Sequence, residues 1–250
     1  MKHYPFILFY LFCNAFIYAF HGSFWVYLAG FLAFSFVVVW GSFDITLGYF
    51  VDSIIRKRTK INEVALTFDD GPTEFTPQFL DLLKEHQIKA TFFCIGKQIE
   101  QYPETFQRII AEGHTIGNHT LSHSNNTGFL SASKMTEEIE KCDEIILKIG
   151  QIKTDLYRPP FGVTNPSIAK AVKRTHKKSI GWNVRSLDTV TDDEKKIYKR
   201  VTKGLKKGSI ILLHDTSEKT YKVLVDLLLF LKDKKYSTFT VDSITKSKEK

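Results

Sequence analysis

Residues 62–250 are predicted to form an α/β barrel, preceded by an apolar region over residues 1–50. Three observations carry this reading. Short apolar runs alternate with helical patterns six or seven times, joined by short loops, which fits a barrel better than an open sheet of two halves. Polar residues suited to catalysis fall just after the apolar runs, where a barrel gathers its loops. Up to Phe50 the only formal charges are Lys2 and Asp44, so the whole net charge of +8 falls on residues 51–250.

Residues 5–20 (PFILFYLFCNAFIYAF) and 24–40 (FWVYLAGFLAFSFVVVW) are uncharged and separated only by His21-Gly22-Ser23. A helix needs roughly 17 to 25 residues to cross the hydrocarbon core, so each stretch is near the lower limit. The expectation is a membrane anchor of two short spans, in contact with the lipid bilayer and held in the cytoplasmic membrane. A cleaved signal peptide is the alternative: Lys2 supplies its charged start, but no A-x-A-like site follows and a second apolar stretch would remain. Neither stretch has a polar face, which disfavours a soluble core pair. Residues 51–61 contain Arg56, Lys57, Arg58 and Lys60 and read as a basic linker. With Lys2 they would place both flanks in the cytoplasm, although five residues leave the side of the catalytic domain open.

Beyond the linker, Val64–Phe68 reads as a strand, Pro77–His86 as a helix, Ala90–Ile95 as a strand, and Tyr102–Gly113 as a helix closed by glycine. Thr115–Ile116 is a short strand, Met135–Ile149 a helix ending at Gly150, and Asp155–Tyr157 a strand. Asn165–Thr175 is a helix with Pro166 in its first turn, and Lys178–Asn183 a strand. Glu194–Leu205, Ser209–Leu213, Tyr221–Lys232 and Phe239–Thr240 complete the alternation.

The lysines of this part lie in helical stretches without interleaved aromatics, so they predict a solvated face and no nucleic-acid partner. Cys13, Cys94 and Cys142 form no CxxC pair and read as free thiols.

In GNHTLSH, His119 and His123 are four apart, a spacing that aims both imidazoles at one point on a helical turn or in a tight loop. A catalytic divalent metal takes about three protein ligands and keeps a place for water. A carboxylate from the first strand would complete the set. Alone, HxxxH fits a solvent-facing pair equally well. The adjacent Asp69 and Asp70 in TFDDGP favour the metal: a cation can take one carboxylate while an arginine holds the other ionised. A helix N-cap before Gly71-Pro72 explains one aspartate and leaves the second unexplained.

TFDDGP, HTLSH, RPPF at Arg158–Phe161, WNVRSLD at Trp182–Asp188 and LLHD at Leu212–Asp215 together resemble the polysaccharide deacetylases of carbohydrate esterase family 4, the NodB-homology domain. The resemblance spans about residues 62–245. It implies a distorted (β/α) barrel that removes acetyl groups from N-acetylated sugars with a divalent metal, zinc in the first instance. It makes Asp70, His119 and His123 the metal ligands, Asp69 the general base and His214 the general acid. Arg158 would pair with Asp69, and Asp188 would orient His214. Phe161, Trp182 and Leu212 would line the pocket, with a backbone N–H near Phe161 facing the oxyanion. The substrate would be an N-acetylated glycan, either wall polymer, exported polysaccharide or lipid-linked sugar.

One motif departs from the family. Arg185 stands where an aspartate is common and Thr189 where a tryptophan is, so substrate choice is the property in question; Arg185 at the mouth would suit an anionic sugar. The segment 122–134 (SHSNNTGFLSASK) reads as a polar rim of the groove. Three rivals are a glycan-binding relative without activity, an amidohydrolase acting on a small non-sugar amide, and a membrane structural protein. The first needs a missing base, ligand or acid, the second gives no reason for a tether, and the third leaves the five motifs unexplained.

Overall fold

The computed structural model describes residues 2–19 and 21–246; Phe20, expected at the end of the first apolar stretch, and residues 247–250 of the barrel domain lie outside them. Helices α1 (His3–Ala19) and α2 (Phe24–Phe43) form an apolar hairpin. Phe34 stacks on Phe6 and Tyr10, at ring separations of 5.4 and 4.3 Å. Among the described residues, α2 is the one helix long and apolar enough to cross a membrane by length and composition; α1 is shorter.

Strand β1 (Glu63–Asp69) is buried at all seven positions, as the central strand of a parallel sheet must be. After it come α3 (Thr76–Glu85), β2 (Thr91–Cys94), α4 (Gly96–Gln101), α5 (Pro103–Ala111), β3 (Thr115–Asn118), α6 (Ala132–Gly150) and β4 (Leu156–Tyr157). The chain continues through α7 (Pro166–Arg174), β5 (Lys178–Ser179), β6 (Val184–Arg185), α8 (Glu194–Gly204), β7 (Ser209–His214), α9 (Glu218–Asp233), β8 (Ser237–Thr238) and α10 (Asp242–Lys246). Polar N-caps start four helices where the sequence offers them. Ser131, Asn165, Asp193 and Ser217 accept from the backbone N–H three residues on.

The strands run parallel in the order β5-β4-β3-β2-β1-β7-β6, and β8 pairs with the first two residues of β1. Period-two alternation divides the core. Leu66, Phe68, Ile211 and Leu213 face the helices, whereas Ala65, Ile210 and Leu212 join Phe93, Leu156 and Trp182 inside the barrel.

β5 and β6 are consecutive in sequence yet lie at opposite ends of the sheet order. The expected strand Lys178–Asn183 is shorter: only Lys178–Ser179 forms β5, and β6 begins just past the expected end, at Val184. After Ser179 the carbonyl oxygens of Ile180 and Gly181 go to Arg158, so they are not available for pairing as a continuing strand would need. The last expected strand also shifts, from Phe239–Thr240 to β8.

The open seam is filled by the chain that follows the hairpin. The Ile54 N–H donates to the Ser179 carbonyl, the Gly181 N–H to the Ile54 carbonyl, and the Lys57 N–H to the Gly208 carbonyl, at 2.8–2.9 Å. Residues 51–61, with the composition of a linker, are thus partly built into the sheet. The hairpin also packs on the barrel. The Thr164 N–H donates to Ser42 O at 2.9 Å, and Phe6, Val37 and Val38 pack on a cluster holding Tyr49, Phe50, Met135 and Ile168.

Candidate active site

The C-terminal strand ends build one mouth. Asp69 ends β1 and sits in register with His214, which ends β7. His119 follows β3, Arg158 follows β4, and Asp188 follows β6. The loops between them need backbone that L-residues rarely adopt: Asp70, Thr120, His123, Phe161 and Leu187 all have positive φ, between 47° and 71°. Side-chain hydrogen bonds hold these turns. Asn118 Oδ1 accepts from the Thr120 N–H at 2.9 Å, and Thr120 Oγ1 accepts from the His123 N–H at 3.1 Å. The HxxxH pair therefore converges from a tight loop, with ring centroids 4.7 Å apart.

Asp70 Oδ1 lies 3.3 Å from His119 Nε2 and 3.4 Å from His123 Nε2. One ligand atom from each of the three residues fits within 4.8 Å of the others. Asp70 Oδ1 is buried and accepts no hydrogen bond. His119 Nδ1 is 2.8 Å from the Arg158 carbonyl, which can only accept, so Nδ1 donates there and Nε2 faces Asp70. Burial, with His119 beside it, pushes the His123 imidazole down to about 4. Burial raises the Asp70 carboxyl, but the facing histidines outweigh it and hold it below the usual carboxylate range. Two imidazole nitrogens and an unsatisfied carboxylate oxygen converging on one point fit a divalent cation.

Beside this set, Asp69 is held by a buried arginine. Arg158 Nη1 donates to Asp69 Oδ1 at 2.6 Å and to Thr67 Oγ1 at 2.8 Å. Its Nε and Nη2 donate to the Ile180 and Gly181 carbonyls, and its guanidinium lies 4.0 Å from the Phe93 ring. Burial pulls the Arg158 pKa down and Asp69 opposes the shift.

On the other side, His214 Nδ1 donates to Asp188 Oδ1 at 2.8 Å. The remaining capacity of Asp188 is filled by the His214 N–H, Ser186 Oγ and Thr220 Oγ1. Burial lowers the His214 pKa, but Asp188 together with Asp69 and Asp70 raises it to about 9. An Asp188→Asn variant should therefore move the alkaline limb of the pH–rate profile to lower pH, because His214 then loses its proton earlier. An unmoved limb would separate that limb from His214.

Among the pocket residues, Phe161 is half-exposed, and its ring centroid lies 4.6 Å from that of His123. Trp182 and Leu212 are buried. Trp182 packs beneath Gly162, where a Cβ would approach its ring to 2.5 Å, so it is a wall under the turn more than a surface for ligand. Leu212 points into the barrel core. Arg185 is exposed beside Lys196, Lys199, Arg200 and Lys203, with its guanidinium 5.8 Å from the Trp182 ring. Among the described residues it has no carboxylate partner, and Asp188 is already occupied by other donors.

Sequence reasoning missed the residues that support these groups. Thr67, Asn118, Ser186 and Thr220 hold the chemically active side chains. Asp215, quoted in LLHD without a role, is buried and accepts from Thr76 Oγ1 at 2.5 Å, directly behind Gly71. Burial raises its carboxyl to about 7. The signal in the sequence was only that each lies within a few residues of a site residue or of a cap.

The sequence profile of the polysaccharide deacetylases matches residues 56–180. The chain belongs to this family. A peptidoglycan-N-acetylglucosamine deacetylase of Bacillus cereus is 39% identical over 155 residues, covering 62% of this chain and 56% of that protein. The peptidoglycan-N-acetylmuramic acid deacetylase PdaA of Bacillus subtilis is 32% identical over 203 residues, covering 79% and 77%. In the solved structure of peptidoglycan deacetylase PdaC from Bacillus subtilis, the shared fold covers 76% of this chain and 93% of that one, with 32% identity and a TM-score of 0.70. This curled parallel sheet with its helices is the family's fold.

Proposed function

We propose that the protein removes N-acetyl groups from a cell-wall glycan, with Asp70, His119 and His123 holding a zinc ion. The observation that carries this is the arrangement of the mouth: an open Asp-His-His set lies between an Arg158-held carboxylate and an Asp188-held imidazole. Two nitrogen donors and one carboxylate suit zinc, and the family's divalent-metal chemistry agrees with the donor set. When bound, the cation would polarise the acetamide carbonyl and lower the pKa of a water.

The side chains divide the proton transfers. Asp69, held by Arg158, accepts the proton of the attacking water. His214, kept charged by Asp188, gives a proton to the sugar nitrogen, since an amine anion is too basic to depart. Pro159 and Pro160 have no N–H, so Phe161 offers the first backbone donor after Arg158 in this turn, available to the developing oxyanion. Removal of any one of base, ligand or acid would define a binding relative without activity. All are present in this chain.

The apolar hairpin supports a second part of the reading, that the protein is anchored in the cytoplasmic membrane close to its glycan. Peptidoglycan relatives favour the wall polymer over a small non-sugar amide.

Acetate release from N-acetylated wall glycan should be lost in excess chelator and restored by zinc, because three protein ligands leave the cation exchangeable. Full activity in chelator, with no bound metal in the untreated protein, would overturn the metal reading. No release from any N-acetylated glycan in a panel would overturn the substrate class.

A further inference from the structure

Two segments border the catalytic mouth next to the hairpin, and neither carries a formal charge. These are residues 119–133, which contain His119 and His123, and residues 159–169, which contain Phe161. The hairpin is fastened to the second of them through the Thr164 N–H to Ser42 O bond. The first is fastened to the second one residue later, where Asn165 Nδ2 donates to the Gly128 carbonyl at 2.7 Å. Leu130 packs on the same cluster as Phe6, Val37 and Val38 of the hairpin. The far side of the barrel is different. There Arg185, Lys196, Lys199, Arg200 and Lys203 crowd one groove.

Phe129 stands on the charge-free rim and is 93% exposed. It is not on a loose loop. The Phe129 N–H donates to the Asn126 carbonyl at 2.8 Å, the Thr127 N–H donates to Ser124 O, and Gly128 is tied to Asn165. Single exposed apolar rings are common, so what sets Phe129 apart is its place on an uncharged rim tied to the segment that holds the hairpin. The neighbouring end of α2 carries the exposed Trp40, a residue type that favours a lipid–water boundary, and the exposed apolar Phe43.

We propose that Phe129 is a second membrane contact, seated in the lipid interface beside the base of the hairpin. This rests on the anchoring reading above and extends it to the orientation of the domain. With the hairpin base and Phe129 both at the interface, the uncharged rim lies along the bilayer and the mouth holding His123 and Phe161 opens at its surface. The glycan that reaches it is the part lying close to the lipid. Because both rim segments are uncharged, the contact needs no anionic lipid.

The test uses the full chain with Cys13→Ser, reconstituted in phosphatidylcholine vesicles. Cys94 and Cys142 are buried and stay unlabelled. A fluorophore sensitive to its surroundings is attached at Phe129→Cys, at Leu32→Cys in mid-α2, and at Lys207→Cys. Nitroxide lipids then quench from either the headgroup or the acyl-chain centre. The expected result is a blue-shifted label at 129 quenched mainly from headgroup depth, a label at 32 quenched mainly from the centre, and no quenching at 207. High salt should change none of these. Quenching at 32 with a water-exposed label at 129 would overturn the proposal and leave the anchor standing. No quenching at either position would overturn both. If 129 stays in water and Phe129→Ser raises KM for soluble chitooligosaccharide several-fold, the ring is a sugar platform, which also overturns the proposal.

Discussion

An Asp69→Asn variant should lose a factor of about 10²–10⁴ in deacetylation rate while keeping its metal. The amide has nearly the same shape as the carboxylate, and its oxygen can still accept from Arg158 Nη1, now 2.6 Å from Asp69 Oδ1. What it cannot do is take a proton from water. His119→Ala should behave differently, losing metal and activity together, because it removes a proposed ligand nitrogen 3.3 Å from Asp70. Metal content and initial rates measured on the same preparations separate the two. Wild-type turnover by Asp69→Asn would show that another group is the base.

Replacing Arg158 with alanine should destabilise the barrel by about 3–5 kcal/mol, the range for breaking one partner out of a buried ion pair. The side chain is fully buried and joins two stretches far apart in sequence: Thr67 and Asp69 on one side, and the carbonyls of Ile180 and Gly181 on the other. Its loss leaves the Asp69 charge uncompensated and two seam carbonyls without their donor. Lysine would keep the charge, but its single ammonium cannot replace a planar fork that bonds in three directions, so Arg158→Lys should recover only part of the loss. Thermal unfolding of the full chain in detergent measures both. A midpoint equal to wild type in Arg158→Ala would mean that the guanidinium is not what closes the seam.

The barrel was legible where side-chain pattern and backbone role coincide. Strands β1 and β7 are apolar runs because they are buried on both faces, and helix α7 announces itself through Asn165 and Pro166. The site residues were legible because strand ends gather them and because their motifs resemble those of a family. The α4 helix was missed because it has only six residues, too few for a period to show. The seam was misread for a different reason. Arg56, Lys57 and Arg58 gave residues 51–61 a soluble, linker-like composition, yet this segment is held by its N–H and C=O groups, which side-chain character does not report. The early end of β5 was hidden in the same way, since the next two carbonyls go to a guanidinium more than twenty residues earlier in the chain. Hydroxyl supports such as Ser186 and Thr220 carry no distinctive spacing, and only the fold brings them to Asp188.

The seam has a consequence for the order in which the molecule is completed. Ser53 meets Ser179 across a separation of 126 residues, and Lys57 reaches Gly208 later still in the chain. During synthesis the hairpin emerges before the barrel, followed at once by a segment whose partners do not yet exist. The earliest part of the barrel to leave the ribosome therefore stays unpaired until most of the barrel has followed it, and β1 must wait for β7 before its second edge is paired. Until then the nascent chain holds an open, strongly apolar sheet edge, the kind of intermediate on which chaperones act.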